Sequence, residues 1–341
     1  MTDTHRMLPH SWRGWTALAA GTAMLAALPF FATPYYVGLL TTAMIGAMLA
    51  LAVHLLVGAT GLVSLGHGAF YGLAAYVVYL VSPEGGARPI WQTLPAAMAV
   101  AGLAALLIGS LALRTRGFFF LMVTLAFGQM IFFVFHDTKL GGGTDGAYLA
   151  KPLIAAFGLE LSPSSFPRAR RAWPVYYVAL VQVVATYLIL AFLLRSMLGR
   201  VLEGIKVNEQ RMRAMGFNTY RYKLAAFAIT GMLAGAAGHM WSLHTGFVNP
   251  ELVGWQKSAE ALLIILLGGI GSLSGAIIGA FAFYGLGEAA QLITERKLLV
   301  EGFVILVVVI MLRDGLTGVR LPRLRRTPSA PDTPPGARVH G

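Results

Sequence analysis

The chain has 341 residues, 57% of them hydrophobic and 12% charged, with a mean hydropathy of +0.70. A water-soluble globular enzyme of this length does not carry that balance, so lipid is the expected solvent. The formal net charge of +12 comes without a basic stripe interleaved with aromatics on a soluble domain, which excludes an ordinary nucleic-acid surface.

A bilayer core about 30 Å thick needs about 20 mostly apolar residues per helix. Ten runs come near that length. The first, Trp15 to Phe31, is followed by further spans and lacks a small-residue cleavage pattern, so it reads as a retained helix behind a short segment 1–14. The second runs from Tyr36 to Val57 and carries His54.

Between it and the third run, Leu62 to Val81, stands the stretch Gly58 to Phe70, where Gly61, Gly66 and Gly68 surround Ser64 and His67. Regular helix throughout is not expected there. Non-helical backbone at membrane depth survives only where protein or a water-filled cavity satisfies it, so Gly61, Ser64, Gly66, His67 and Gly68 are candidates for a pathway or hinge, beside the plainer reading of an interfacial turn. Ser64 and His67 also raise a hydrolase. A nucleophile elbow wants glycine two residues before the serine, where Leu62 stands, and no acidic residue is near to orient the histidine.

The fourth and fifth runs, Trp91 to Leu113 and Gly117 to Phe135, are joined through Arg114 and Arg116, and the fifth carries Gln129. A long polar segment, 136–173, leads to the sixth run, Pro174 to Leu194. The segment from Arg195 to Lys223 follows. In it Val201, Leu202 and Ile205 recur at helical spacing, as do Met212 and Met215, with Glu203, Lys206, Glu209, Arg211 and Arg213 between them. Gly216 with Asn218 supplies a C-cap, so the spacing predicts a short amphipathic helix and a glycine stop. A solvated connector, a helix flat on headgroups and a helix docked on a partner all fit that periodicity.

The last four runs are Leu224 to Leu243, Ser258 to Ile270, Gly275 to Ile293 and Leu298 to Leu312. Gly68 with Gly72, Gly231 with Gly235, and the series Gly271, Gly275, Gly279 have the spacing of close helix packing in lipid. Glu260, Glu288 and Gln291 join His54 and Gln129 as the polar groups within spans, each read as a helix-helix partner or interfacial anchor before a substrate ligand. No series of Asp, Glu and His lines up for proton coupling. Runs such as Val304 to Ile310 do not alternate, which favours helices over a barrel. From 313 to 341 the chain is basic, Pro-rich and expected to be disordered. The absence of cysteine excludes disulfides and thiol-based metal sites.

Short loops rich in Lys and Arg stay in the cytoplasm. With both termini inside, 17 of the 26 basic residues and five acids fall on cytoplasmic segments, which places the whole +12 excess on one face. Arg168, Arg170 and Arg171 in the external segment run against the rule.

Several of these stretches share one resemblance. Asn208 to Arg211, Ala214 to Asn218 and Tyr222 to Phe227 resemble the coupling segment of branched-chain amino-acid ABC importer permeases. Gly61 to Phe70, Leu113 to Gln129, Gly141 to Gly146 and Leu267 to Gly275 are similar to the same family, which ties about 60–310 to it. Gln210, Arg211 and Met212 stand where the general permease signature has an acid and two alanines, and Glu209 falls one residue early. The resemblance implies an all-α, polytopic bundle of about ten spans, 15–312, with a cytoplasmic coupling segment 195–223. It implies ATPase coupling through Glu203, Lys206, Asn208, Glu209, Arg211, Ala214 and Gly216. The pathway or hinge candidates are Gly61, Ser64, Gly66, His67, Gly68, Gln129, Gly271 and Gly275.

The expected function is a permease subunit, not an enzyme, that imports Leu, Ile and Val by alternating access in the bacterial inner membrane. The implied partners are a sister permease, two cytoplasmic ATPases carrying ATP and Mg, an external substrate-binding protein and lipid, with no cofactor on this chain and no nucleic acid. The chain has no Gly-rich phosphate loop ending in Lys-Ser or Lys-Thr, so energy comes from another subunit or transport is passive. The alternatives are the same architecture importing urea, amides or aromatic acids, an energy-independent channel, and a membrane-embedded enzyme.

Overall fold

A computed structural model describes residues 12–82, 89–149, 154–156, 159–161 and 171–293, with short pieces between 299 and 316. The expected Leu298 to Leu312 span for most of its length, the tail from 313 for nearly all of its length, and most of the segment 1–14 lie outside the described residues, as do Arg168 and Arg170.

Ten helices follow in order among the described residues: α1 (Trp12–Ala27), α2 (Pro34–Thr60), α3 (His67–Val81), α4 (Ile90–Ala112), α5 (Phe118–Asp137), α6 (Trp173–Arg195), α7 (Met197–Ala214), α8 (Thr219–Thr245), α9 (Trp255–Gly268) and α10 (Leu273–Ile293). Six of them, α2, α4, α5, α6, α8 and α10, are long and apolar enough to cross a membrane. The all-α polytopic bundle is therefore as expected. Strand is confined to two short antiparallel ribbons: Ala147–Tyr148 pairs with Phe247–Val248, and Ile154–Ala156 with Leu159–Leu161.

Burial sorts the helices into a centre and a rim. In α2, 83% of the most apolar stretch is buried inside the chain, and in α8 72%, against 22% in α5 and 33% in α4. Helix α8 packs on α4, α3 and α2, and α2 also carries α10 and α6. An apolar helix with most of its surface uncovered needs lipid or a partner around it.

Small residues let the central backbones approach closely. A Cβ at Gly235 would crowd Ala101 of α4, and one at Gly72 would crowd Val253. Gly275 and Gly279 sit against the α9 backbone around Gly268. Gly271, expected on the same packing face, meets nothing there among the described residues: a Cβ would find no atom within 4 Å.

Two expected spans form helices too short to cross a bilayer. The Leu62 to Val81 run becomes α3 only from His67, leaving 15 residues, and the Ser258 to Ile270 run becomes the 14-residue α9. At about 1.5 Å per residue neither reaches across a bilayer core alone.

Candidate functional site

Helix α2 ends because Gly61 takes the left-handed conformation, φ +71°, with its N–H on the Val57 carbonyl. A side chain there would be strained, so glycine is the residue that allows the stop. The chain then runs without helix through Leu65. Its polar backbone finds side-chain partners: Gly66 N donates to Ser64 Oγ at 3.2 Å, and Leu65 N to Thr124 Oγ1 of α5 at 3.3 Å.

Helix α3 starts inside the bundle. His67 shares a 3.0 Å hydrogen bond with Thr230, 11 residues into α8 and so about 16 Å along it. From the far end of α8 the chain folds back along α3, so that Leu252 to Gly254 lie against Gly72 and Gly68. Helix α9 begins there. Ser258 of α9 locks the two starts together: its Oγ accepts from Gly68 N at 2.7 Å and donates to the Leu65 carbonyl at 2.8 Å. Two half-length helices thus diverge from a common start, an arrangement that membrane transporters use where backbone must leave the helix within the bundle.

The structure brings Ser64, Gly66, His67 and Gly68 together at this junction, whereas Gly61 lies at the end of α2 beside the Lys206 stem. Gln129 lies one turn beyond Thr124 on α5, with its amide nitrogen buried and unpartnered among the described residues. Ser64 and His67 make no hydrogen bond to each other; each has its own partner. Gly271 and Gly275 lie apart, at the turn between α9 and α10, where His54 meets the Ile270 carbonyl at 2.9 Å.

The expected coupling helix is α7, and it is not continuous. Asn208 leaves helical geometry, φ −158° and ψ 100°, and its Oδ1 accepts from Arg211 N at 2.9 Å. It is the N-cap of a second short helix, which its Asx side chain favours over continuing the first. That second helix closes on Gly216, φ +87°, with Phe217 N on the Met212 carbonyl and Gly216 N on the Arg213 carbonyl. This is the pattern of a Schellman stop. Asn218, read as part of that cap, instead caps α8 through Arg221 N at 3.2 Å.

Val201, Leu202 and Ile205 are buried against the bundle, whereas Met215, expected on the same apolar face, is 64% exposed. Val207 is 79% exposed, and Arg211 and Ala214 are also open. The face turned away from the bundle therefore mixes apolar and charged groups.

Beside that buried face, two polar contacts among those described tie α7 to the bundle. Lys206 Nζ donates to the Gly58 carbonyl in the last turn of α2 at 2.9 Å, and its stem lies beside Gly61. Glu209 Oε1 accepts from Lys223 at 2.8 Å, Thr219 at 3.0 Å and Arg213 at 2.5 Å. Partial burial acts to raise the Glu209 pKa, but the bonds from Lys223 and Arg213 outweigh it and hold the carboxyl at about 2. Glu203 is half-buried on the first part of α7.

A third feature was not legible in the spacing: a cleft of about 720 Å³ between α2, α9 and α10. Tyr284 donates to Glu260 at 2.5 Å, and Tyr35 donates to both oxygens of Glu288, at 3.0 and 2.8 Å.

A family model described as branched-chain amino acid transport system, permease component, matches residues 35–311. The high-affinity branched-chain amino acid transport system permease protein LivM of Escherichia coli K12 is 32% identical over 325 residues, covering 90% of this chain and 76% of that protein. The corresponding permease protein BraD of Pseudomonas aeruginosa is 24% identical over 302 residues, 80% of this chain and 91% of that protein. The autoinducer 2 import system permease protein LsrC of Photorhabdus luminescens is 29% identical over 188 residues, 51% of this chain and 55% of that protein. No solved structure matches the chain.

Proposed function

For a chain that belongs to the branched-chain amino acid transport permease family, we propose a role as one membrane half of an ATP-driven importer that moves Leu, Ile and Val into the cytoplasm by alternating access. In this reading both termini and α7 face the cytoplasm, where most of the basic residues then lie, and the far end of α8 faces outward. The chain pairs with a sister permease, two ATPases that hold ATP and Mg, and an external binding protein.

One observation carries the reading. The Lys206 bond and the Glu209 cluster join α7 to two places, the last turn of α2 beside the 61–66 break and the first turn of α8. A push on the exposed Val207 to Met215 face therefore bears on a discontinuous segment inside the bundle, and a gate needs such a joint. Passive diffusion through a channel has no use for this linkage.

The test is reconstitution of the four-subunit complex with its binding protein in vesicles containing ATP. ATP-dependent accumulation of leucine, isoleucine and valine supports the proposal. Equal accumulation without ATP favours a channel, and accumulation of urea, amides or aromatic acids instead reassigns the substrate.

A further inference from the structure

The cleft between α2, α9 and α10 has a composition that lipid does not tolerate. Glu260, Glu288, Gln256 and Gln291 open into it, and carboxylates within spans are costly against hydrocarbon. The two carboxylates are not equivalent. Glu260 is matched by Lys257 of the preceding turn at 2.8 Å, whose ammonium also lies 5.1 Å from the centre of the Trp241 ring. Glu288 accepts only from the neutral Tyr35 hydroxyl and meets no cation among the described residues. Among the described residues no Lys or Arg lines the cleft, and with Glu260 paired to Lys257 its described lining leaves one carboxylate, Glu288, without a cation.

The rest of the lining is apolar or aromatic, through Leu39, Leu263 and Phe283, and the volume is that of a small-molecule site. Its depth also matters. Tyr35 and Glu288 lie near the far end of the bundle, while Trp255 and Gln256 are the first residues of α9, directly after the Gly254 that abuts Gly68. The cleft therefore leads from one end of the bundle to the start of the half-helices.

We propose that this cleft is a binding station for an aliphatic amino acid on its way through the permease, with the substrate ammonium on Glu288 and its side chain against Leu39, Leu263 and Phe283. The assignment rests on the import reading above and adds to it the residues that meet the cargo. A single negative charge suits an ammonium, and the neutral apolar wall suits an aliphatic side chain. The same charge disfavours the 2-hydroxy and 2-oxo acid analogues, which lack the cation and bring only a carboxylate.

The chain has no cysteine, so one introduced at Ala259, on the cleft wall, is its single thiol, and label read on this chain's own band after the subunits are separated reports on the cleft. The assembled complex in vesicles is labelled with a cationic and an anionic methanethiosulfonate. Ala259→Cys is expected to react about tenfold faster with the cation, from the local field. Adding Glu288→Gln should erase that preference. Leucine should slow the labelling, and 2-hydroxy-4-methylpentanoate at the same concentration should not. In import, Glu288→Gln should raise the half-saturating leucine concentration about tenfold, the equivalent of one charge-assisted hydrogen bond.

No labelling at all would show the cleft sealed by the sister subunit and would overturn the proposal. Labelling without charge preference, or equal protection by the hydroxy acid, would also overturn it, even with leucine import intact. Loss of ATP-driven import in the wild-type complex would instead overturn the import reading, while charge preference and leucine protection at position 259 would still judge the cleft.

Discussion

The Lys206 ammonium reaches the Gly58 carbonyl at 2.9 Å, which ties the middle of α7 to the last turn of α2, three residues before the helix stops at Gly61. The bond joins the exposed elbow of the chain to the one long helix that is almost wholly enclosed. A carbonyl so near a helix end has no intrahelical partner to lose, so it is free to accept from outside the helix.

Replacing Lys206 with methionine keeps the stem and removes the donor. The α7 helix should remain seated through Val201, Leu202 and Ile205, so assembly is expected to persist. Leucine import should fall about tenfold, the scale of one hydrogen bond to a charged group, while ATP hydrolysis continues. Uptake and hydrolysis measured on the same vesicles check this, and an unchanged ratio of the two would remove Lys206 from the proposed coupling route.

Glu209 gathers Lys223, Thr219 and Arg213 on one oxygen, and its carboxyl is held at about 2. The folded value lies below the ordinary one of 4.5, so the stabilisation is complete above pH about 4.5 and is lost as pH falls toward about 2. Detergent-solubilised protein should therefore melt at a lower temperature as pH drops through that window. Glu209→Gln should flatten that part of the profile and lower the melting temperature at pH 7. A variant that melts like the wild type across the window would show the cluster to be decorative.

The long helices are legible because a run of about 20 apolar residues has few other uses. The short ones are not, because Leu62 to Val81 is equally apolar on both sides of His67, and only the partners of Ser64 and Thr124 show where helix begins. The break at Asn208 hides for a related reason: one Asn in a polar segment is compatible with either a helix interior or a cap. The amphipathic spacing of Val201, Leu202 and Ile205 marks the buried face, but it assigns Met215 to that face and the glycine stop turns it outward. The cleft was beyond reach of local pattern. Its pairs join Tyr284 to Glu260 and Tyr35 to Glu288, the second across 253 positions.

The glycines of the α9–α10 turn should separate cleanly under mutation. Gly279→Val places its side chain into the α9 backbone near Ile264 and Gly268, and overpacking of that kind costs about 1–3 kcal/mol or more. Gly271→Ala meets no atom of the described residues and is expected to leave the melting temperature within error. Thermal unfolding of both variants in one detergent checks the contrast, and equal effects would contradict the packing described.

The junction of α3 and α9 rests on one hydroxyl. Ser258 is fully buried, accepts from Gly68 N and donates to the Leu65 carbonyl, so Ser258→Ala leaves a donor and an acceptor unpaired where water does not reach. Each orphaned group costs about 1–3 kcal/mol. Relief comes only by letting water in or by moving the two half-helices apart, and either change exposes the 61–66 segment. The variant should therefore lose thermal stability, and amide exchange at Leu65 and Gly68 should accelerate more than at the far end of α3. Ser258→Thr keeps the hydroxyl and should restore slow exchange at both amides. If alanine and threonine behave alike, the two starts are held by shape rather than by this bond, and the joint proposed to answer to α7 must lie elsewhere.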